Sequence, residues 1–233
     1  MKKKYFGTDG IRGTFDEFPI TIPFFLNLID SIKKTHSYIK KIIIGKDTRE
    51  SSEVIESALV KGFINVGVKP DSCGVVSTPI LSYYTKKYKY DLGIMISASH
   101  NPYNDNGIKI FNKDGEKLSD EDEIKLEKNL TLSEKILDLK NDNNSNRIPT
   151  SEYENLLINK FESLTGFKRK VVIDCANGSL FEIAPKIFKS LDLNFINYAC
   201  KPDGKNINKN CGAMFPQKLS KETLKNKAYL KNA

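Results

Sequence analysis

The sequence predicts an α/β fold, in which a mixed, largely parallel sheet is layered with helices and is followed by an incomplete second α/β domain. Short β-branched runs alternate with segments of helical periodicity, and this βαβα order is typical of a sheet with parallel character. Apolar residues make up 39% of the 233 residues and charged residues 28%, a balance that favours a folded globular chain over a disordered or fibrous one.

Each predicted element of the first domain rests on its own local pattern. Runs of β-branched residues predict strands, and apolar residues three and four positions apart predict helices. In chain order we expect a strand at 41–45, a helix at 53–66, a strand at 73–76, a helix at 79–87, strands at 91–97 and 108–111, and a helix capped by Ser119. Together they form a predicted domain that spans residues 1–147.

A polar, Asn-rich segment at 139–147 predicts a flexible loop between the two domains, so the second is expected to span residues 148–233. Ser151 and Glu154 form the pattern of a capping box ahead of a helix. We expect that helix to end near Leu164. The next expected elements are a strand at 170–175, a helical face from Leu180 to Leu191, a strand at 194–198 and a helix at 217–227. Pro185 should delay the start of the helix that carries this face or should kink it.

The charge and the cysteine content restrict the possible binding partners of the protein and its cellular location. The net charge is +8, but only four of the 37 basic residues are Arg, whereas nucleic-acid readers depend on Arg forks; we therefore expect no nucleic-acid partner. No apolar run approaches the ~20 residues of a membrane span, and none follows the basic start. The four cysteines lack C-x-x-C spacing, which predicts reduced thiols in a cytoplasmic protein and neither a zinc site nor disulfides.

One loop collects the polar groups that nucleophilic chemistry needs. Ser99 is expected at the carboxyl edge of the sheet, where open α/β sheets place their ligands. A hydroxyl nucleophile needs a proton acceptor and groups that hold a developing anion. His100 and Lys109 offer these functions, with Asn101 and Asn106 as neutral donors. Each residue taken singly has a structural explanation, but their density predicts a functional loop.

Four strings, in order along the chain, carry a family resemblance. They are Phe6–Gly13, Gly45–Arg49, Ser99–Pro102 followed by Asp105–Lys109, and Pro202–Asn208 with Cys211–Gly212. The third resembles the phosphoserine loop of the α-D-phosphohexomutase superfamily, and the others resemble its glucosamine-phosphate branch. The resemblance runs from residue 5 to about residue 228. It implies an isomerase that interconverts glucosamine 6-phosphate and glucosamine 1-phosphate through a phosphoserine and a bisphosphate intermediate, for amino-sugar nucleotide and cell-wall precursor synthesis.

The resemblance also implies roles for individual residues. Ser99 would carry the phosphoryl group, Lys109 would act as the general acid/base, and His100 would orient the loop. Arg12 would line the same crevice as a further catalytic residue. Five further residues would bind substrate or phosphate or would support the loop, namely Thr8, Asp9, Asn101, Asn106 and Arg49.

The superfamily binds Mg²⁺ through the phosphoserine and three aspartates of an Asp-Gly-Asp-x-Asp-Arg loop, with a hexosamine bisphosphate as activator. That loop does not occur in this sequence, and Asn226–Ala233 departs from the family pattern, with Tyr229 where an acid is usual. We therefore expect an N-terminal portion that is inactive alone. A frameshift and a split gene, in which a separate chain supplies the remaining domains, are alternative explanations. The acids Asp120–Glu123 are better explained as the first turn of a helix than as a metal site.

Alternatives remain for the substrate and for the activity. Mannose or glucose phosphates are the alternative substrates, although the Gly7–Gly10 string favours glucosamine. The chain could also be a non-catalytic module that binds a sugar phosphate or a partner. For Gly45–Arg49, support around the serine loop is favoured over direct substrate contact. Ser97 is the main rival of Ser99 as phosphate acceptor.

Overall fold

The structure, a computed structural model, describes residues 3–135 and 145–229. The chain divides into two compact units, Met1–Ser99 with Asn104–Ile148 and His100–Tyr103 with Pro149–Ala233. A mixed, mostly parallel sheet with helices confirms the predicted fold class. No helix in the described ranges is both long enough and apolar enough to cross a membrane.

The first unit is built on a six-stranded sheet. Its strands are β1 (Ile11–Thr14), β2 (Lys41–Lys46), β3 (Lys69–Val75), β4 (Leu92–Ile96), β5 (Asp105–Asn112) and β6 (Asn146–Arg147). They lie in the order β1-β5-β4-β2-β3-β6. Strand β2 pairs in parallel with β3 and β4, and β6 in parallel with β3, whereas β5 is antiparallel to both β4 and β1. The parallel pairs run from β4 to the edge strand β6, and the antiparallel pairs form the other side of the sheet.

Helices cover this sheet and complete the core of the unit. They are α1 (Ile22–Thr35), α2 (Glu50–Asn65), α3 (Thr78–Lys87) and α4 (Asp120–Asn129). The Ile42–Ile44 run of β2 is fully buried, as expected for a central strand with helices on both faces. Ser119 caps α4 as predicted, because its Oγ accepts the N–H of Asp122 at 3.1 Å.

Tertiary pairing extends several strands beyond the segments that their sequences predict. Strand β3 begins four residues before Cys73, and β5 begins three residues before Ile108. Their first residues have turn-like chemistry, but each pairs with a neighbouring strand, and this pairing overrides local propensity. The sequence patterns also did not predict β1, α1 or β6. The predicted loop at 139–147 is wrong at Asn146–Arg147, which pairs with β3; residues 139–144 lie outside the described ones.

The second unit contains a small parallel pair of strands. Its elements are α5 (Ser151–Lys160), a 3₁₀ turn (Glu162–Leu164), β7 (Val171–Asp174), α6 (Ile183–Ser190), β8 (Phe195–Tyr198) and α7 (Pro216–Lys225). Helix α6 begins at Ile183, so that Pro185 falls in its first turn, where a proline is tolerated. The capping-box prediction is wrong: the cap residue is Thr150, and Ser151 is already helical. A residue inside the first turn does not occupy the position from which a side chain caps.

One carboxylate of α4 holds the N-terminal segment on the first unit. Glu127 accepts the backbone N–H groups of Lys4, Tyr5 and Phe6 at 2.7, 2.7 and 2.8 Å. These contacts fix the chain immediately before the Gly7–Gly10 turn, so they position the first of the four strings that carry the resemblance.

We expect Glu127→Ala to lower the free energy of unfolding by about 2 kcal/mol, because three backbone N–H groups lose a charged acceptor and water replaces it only in part. Chemical denaturation of the full chain measures the loss. The matched control is Glu121→Ala, an exposed acid of the same helix, which should change stability by less than ~0.5 kcal/mol. Equal effects of the two substitutions would show that Glu127 does not anchor the segment.

Candidate functional site

Ser99 lies in a turn at the carboxyl end of β4. Its side chain is exposed and its φ is +56°, in the left-handed region that non-glycine residues rarely adopt and that recurs at functional sites. The Ser97 N–H donates to the Gly107 carbonyl oxygen at 3.0 Å, and Ser97 Oγ accepts the Ser99 N–H at 2.9 Å. The Ser97 hydroxyl therefore shapes the turn in which Ser99 is exposed.

A buried ion pair lies beside the backbone of Ser99. Arg49 is only 1% exposed; its Nη2 donates to the Ser99 carbonyl oxygen at 3.3 Å, and its Nη1 pairs with Asp47. Burial lowers the pKa of the Arg49 guanidinium, an effect that the Asp47 charge opposes. The guanidinium stays charged at neutral pH because an Arg pKa starts so far above it. The buried Arg49 guanidinium therefore holds a positive charge against the backbone of the serine turn.

A buried hydrogen-bond network extends from this ion pair to β5. Asp47 Oδ1 accepts the Arg49 N–H at 3.1 Å and the Ser52 hydroxyl at 3.0 Å. Asn106 is fully buried, and its Nδ2 donates to Ser51 Oγ at 2.8 Å and to Ser52 Oγ at 3.0 Å. The network therefore joins the end of β2, the start of α2 and the start of β5. This geometry favours a supporting role for Asn106 and Arg49.

A second charged cluster lies on the antiparallel side of the sheet. Arg12 pairs in register with Gly107, and Lys109 is two residues further along β5, so both side chains lie on one face. The Asp9 carboxylate makes ion pairs with both cations. Burial alone would raise the pKa of Asp9, but the hydrogen bond and charge of Lys109, with the charge of Arg12, outweigh it and hold the pKa below its ordinary value. Asp9 is therefore ionised and orients the two cations.

Gly10 is required at the end of the turn that presents Asp9. Its φ is +91°, and a Cβ at this position would lie 2.3 Å from the Ile108 carbonyl oxygen, so no other residue fits. The Gly7 N–H closes the turn on the Gly10 carbonyl oxygen at 2.8 Å. Thr8 is exposed in the same turn.

The rest of the serine loop belongs to the second unit. There, Asn208 Nδ2 donates to the Asn101 carbonyl oxygen at 2.9 Å. A cavity of about 650 Å³, of the size that takes a small ligand, lies in this unit. Its walls come from the loop residues His100, Asn101, Pro102 and Tyr103 and from Ile207, Asn208, Lys209, Asn210, Met214 and Phe215. Residues His100–Tyr103 therefore form part of the wall of a cavity within the second unit.

The acidic residues of the described ranges do not form a magnesium site. No group of three His, Cys, Asp or Glu side chains in residues 3–135 and 145–229 is arranged to hold a metal ion. Among the acids of α4, Asp120 pairs with Lys3, and buried Glu123 pairs with Lys3 and Lys117. These pairs agree with the prediction that the cluster is the first turn of a helix.

The structure brings together some of the predicted site residues and places others elsewhere. Asp9 joins Arg12 to Lys109, and Arg49 contacts Ser99, whereas His100 and Asn101 belong to the second unit. The catalytic and binding roles remain predictions. Sequence reasoning placed Asp47 within the supporting Gly45–Arg49 string but missed Ser51 and Ser52. No local signal marks these two serines, because their hydrogen bonds with Asn106 and Asp47 arise only when the chain is folded.

Comparison with known proteins now assigns the family. Residues 3–136 match the family model described as phosphoglucomutase/phosphomannomutase, alpha/beta/alpha domain I. The chain belongs to this phosphohexomutase family. The match covers more than half of the chain and includes Asp9, Arg12, Arg49, Ser99 and Lys109, so both charged clusters of the first unit lie within the family's domain I.

Several curated relatives that match almost the whole chain share one name. A phosphoglucosamine mutase from Buchnera aphidicola subsp. Baizongia pistaciae is 43% identical over 97% of this chain and 51% of that protein. Phosphoglucosamine mutases from Alcanivorax borkumensis and Chlamydia abortus are 41% and 38% identical over 99% and 97% of the chain and 53% and 51% of their own lengths. These relatives agree with the predicted glucosamine-phosphate branch. The chain spans about half the length of the curated relatives it matches.

Solved structures of the phosphohexomutase family share the fold. A Thermus thermophilus protein named as a phosphomannomutase has a TM-score of 0.76 at 20% identity, over 88% of this chain and 48% of that chain. The Paramecium phosphoglucomutase pp63/parafusin, in its open form, has a TM-score of 0.68 at 19% identity, over 86% and 44% of the two chains. At these identities the likeness supports the fold alone.

Arg49→Ala is expected to lower the free energy of unfolding by ~3 kcal/mol, because it leaves the buried Asp47 carboxylate without its cation. Chemical denaturation of Arg49→Ala, Asp47→Ala and the double variant measures this effect. If the two residues form one ion pair, the double variant should cost clearly less than the sum of the single variants. Unchanged stability in Arg49→Ala would instead favour direct contact with substrate over support of the turn.

Proposed function

We propose that this chain provides the phosphoserine half of a phosphoglucosamine mutase, which interconverts glucosamine 6-phosphate and glucosamine 1-phosphate. The observation that carries the proposal is the Ser99 turn: an exposed serine in a left-handed conformation at the carboxyl end of a buried strand, with the Arg49 guanidinium at its carbonyl oxygen. The curated relatives that match almost the whole chain carry the name phosphoglucosamine mutase. The reaction is an isomerisation through two phosphoryl transfers.

Each transfer uses a group that this chain supplies. Ser99 Oγ gives its phosphoryl group to the free hydroxyl of the hexosamine phosphate, while the Lys109 ammonium group gives a proton to the departing Ser99 Oγ and regains one from the attacking hydroxyl. The bisphosphate that forms then turns around, and its other phosphoryl group returns to Ser99 Oγ, while Lys109 gives a proton to the departing sugar oxygen and regains one from the Ser99 hydroxyl. Phosphoryl transfer depends mainly on positioning and charge neutralisation. The proposed role of Asp9 is to hold Lys109 and Arg12 in place through its two ion pairs.

Magnesium is the cofactor expected from the family, with a hexosamine bisphosphate as activator. Bound Mg²⁺ would neutralise phosphate charge during transfer. The described residues offer no three-carboxylate cluster to hold it, and Ser99 contributes to such a site only through its phosphate. We therefore propose that the reaction takes place where the other half of the relatives' length is also present, in one polypeptide or in a second chain.

The identity of the sugar substrate and the roles of the loop residues are part of the same proposal. Thr8 and Asn101 are proposed to bind substrate or phosphate or to support the loop, and His100 to orient the serine loop, whereas Asn106 and Arg49 support the turn. Mannose or glucose phosphate is the alternative substrate, because the family description covers both types of mutase. We expect neither a nucleic acid nor a membrane as partner.

A chimera tests the proposal. In it, this chain replaces the matching half of the Buchnera aphidicola relative, which is 43% identical over 97% of the chain. We expect steady conversion of glucosamine 6-phosphate to glucosamine 1-phosphate with Mg²⁺ and bisphosphate, and little conversion of mannose or glucose phosphates. The 233-residue chain assayed alone should show no turnover above its Ser99→Ala variant. A folded chimera without turnover, beside an active unmodified relative, would refute the catalytic proposal.

A further inference from the structure

Three of the four cysteines of the chain lie close to the β7–β8 pair in the second unit. Cys175 directly follows β7, Cys200 comes two residues after β8, and Cys211 precedes a glycine whose N–H donates to Asp174 at 2.7 Å. All four cysteines are free thiols. Cys73 lies apart from them, buried in β3 of the first unit. Their contacts single out one pair.

Cys175 and Cys200 meet at a single carbonyl group. Strands β7 and β8 are parallel, and their last register pair is Asp174 with Tyr198. The Tyr198 carbonyl oxygen accepts the Cys175 N–H at 3.1 Å and the Cys200 Sγ–H at 3.3 Å. The positive φ of Ala199, +49°, turns the chain so that Cys200 folds back on this carbonyl group. Burial and the neighbouring Cys200 side chain both raise the pKa of the Cys175 thiol, an effect expected of side chains that lie close together.

From this geometry we propose that Cys175 and Cys200 form a reversible dithiol site, which glutathione disulfide oxidises to an intramolecular disulfide. Cys175 lies one residue beyond the last register pair of the two strands and Cys200 two residues beyond it, so the two backbones run close together there, as a disulfide requires. The inference does not depend on the mutase activity, because the bond forms between two side chains that the proposed reaction does not use.

The order of the two exchange steps follows from exposure. Cys200 is half-buried and Cys175 is buried, so Cys200 meets the oxidant first. Its thiolate attacks glutathione disulfide, forms a mixed disulfide and releases one glutathione. Cys175 sulfur then attacks the Cys200 sulfur, its proton passes to the second departing glutathione, and the protein disulfide remains. Two thiols are oxidised, and one glutathione disulfide is reduced to two glutathione thiols.

The electrostatic setting agrees with this order. Burial, the hydrogen bond and charge of Cys200, and the nearby Asp174 all raise the pKa of the Cys175 thiol, so Cys175 is a poor first nucleophile. Burial and Asp174 also raise the pKa of Cys211, and burial raises that of Cys73 to about 12. Cys175 therefore reacts only after the mixed disulfide between Cys200 and glutathione has formed beside it.

The disulfide would connect the two strand ends to a loop that also touches the cavity wall. Asn177 Oδ1 accepts the Lys201 N–H at 2.9 Å, and the Asn208 N–H donates to the Ala176 carbonyl oxygen at 2.9 Å. Asn208 is also the residue whose side chain contacts the Asn101 backbone. Oxidation would therefore restrain the turn at 175–178 and the segment after β8 together.

Peptide mapping of the intact 233-residue chain tests the inference directly. The chain is equilibrated in glutathione buffers from fully reduced to fully oxidised, its free thiols are blocked under denaturing conditions, and it is cut with trypsin. Each cysteine then falls in a different peptide, with Cys175 in 171–186, Cys200 in 190–205 and Cys211 in 210–218. We expect the 171–186 and 190–205 peptides to be linked in most of the oxidised chain and to separate when dithiothreitol is added.

Variants provide the controls. Cys200→Ser should lose the linked peptide completely, whereas Cys211→Ser and Cys73→Ser should keep it. Because the mapping is made on the wild-type chain, a variant that fails to fold does not prevent a decision. Three results would overturn the inference: four free thiols at every glutathione ratio, a Cys200–glutathione adduct beside a free Cys175, or a link to Cys211 as the main product.

Discussion

Ser99→Ala in the chimera is expected to lower turnover by ~10⁴-fold or more, the scale of losing a covalent nucleophile. No other described residue combines an exposed hydroxyl, a left-handed conformation and a guanidinium at its carbonyl oxygen in one turn. Turnover of glucosamine 6-phosphate to glucosamine 1-phosphate, measured with Mg²⁺ and bisphosphate activator, gives the result.

Ser97→Ala is the matched control for Ser99→Ala. It removes the hydroxyl that accepts the Ser99 N–H at 2.9 Å, so it loosens the turn without removing the proposed acceptor. We expect a loss of ~10-fold, in line with imperfect positioning of a reacting group. If Ser97→Ala abolished turnover while Ser99→Ala retained it, the two serines would exchange roles and the proposed mechanism would be wrong.

Lys109→Ala is expected to lower kcat by ~10²-fold or more and to change KM much less, because it removes the proposed proton-transfer group and not the main binding contacts. Steady-state kinetics of the chimera with glucosamine 6-phosphate separate the two constants. The substitution also leaves Asp9 with Arg12 as its remaining ion-pair partner in this cluster.

Two variants separate catalysis by Lys109 from its structural role. Lys113→Ala removes an exposed lysine just after β5 and should leave kcat within about twofold, as expected for a surface position. Asp9→Asn keeps Lys109 but removes the carboxylate that orients it, and should lower kcat by less than Lys109→Ala does. Near-normal turnover of Lys109→Ala would exclude this lysine from the mechanism.

The fold class could be predicted from sequence because the central elements agree with their local patterns. Ile42–Ile44 is a continuous apolar run, and a strand with helices on both faces of its sheet buries every residue of such a run. The first residues of β5, including Asn106 and Gly107, have turn chemistry instead, and only pairing with β1 makes them a strand. Pairing partners far apart in sequence cannot be deduced from the local pattern.

The residues of the candidate site also divide into those that the sequence predicts and those that it does not. Ser99, Lys109 and Arg12 were recognisable because their residue types and spacing match a family motif. Ser51 and Ser52 were not, since their importance comes from buried hydrogen bonds with Asn106 and Asp47, which the sequence does not state. The Asp9 ion pairs with Lys109 and Arg12 also depend on the register of β1 against β5, which emerges only when the strands are paired.

The most direct test of the account is the position of the phosphate in the active chimera. Ser97 and Ser99 fall in one tryptic peptide, residues 90–109, so fragmentation between them must localise the added group. After incubation with hexosamine bisphosphate and Mg²⁺, we predict phosphate on Ser99, transferable to unlabelled glucosamine phosphate within one turnover. Phosphate on Ser97, or an active chimera with no phosphate anywhere in this peptide, would contradict the central claim.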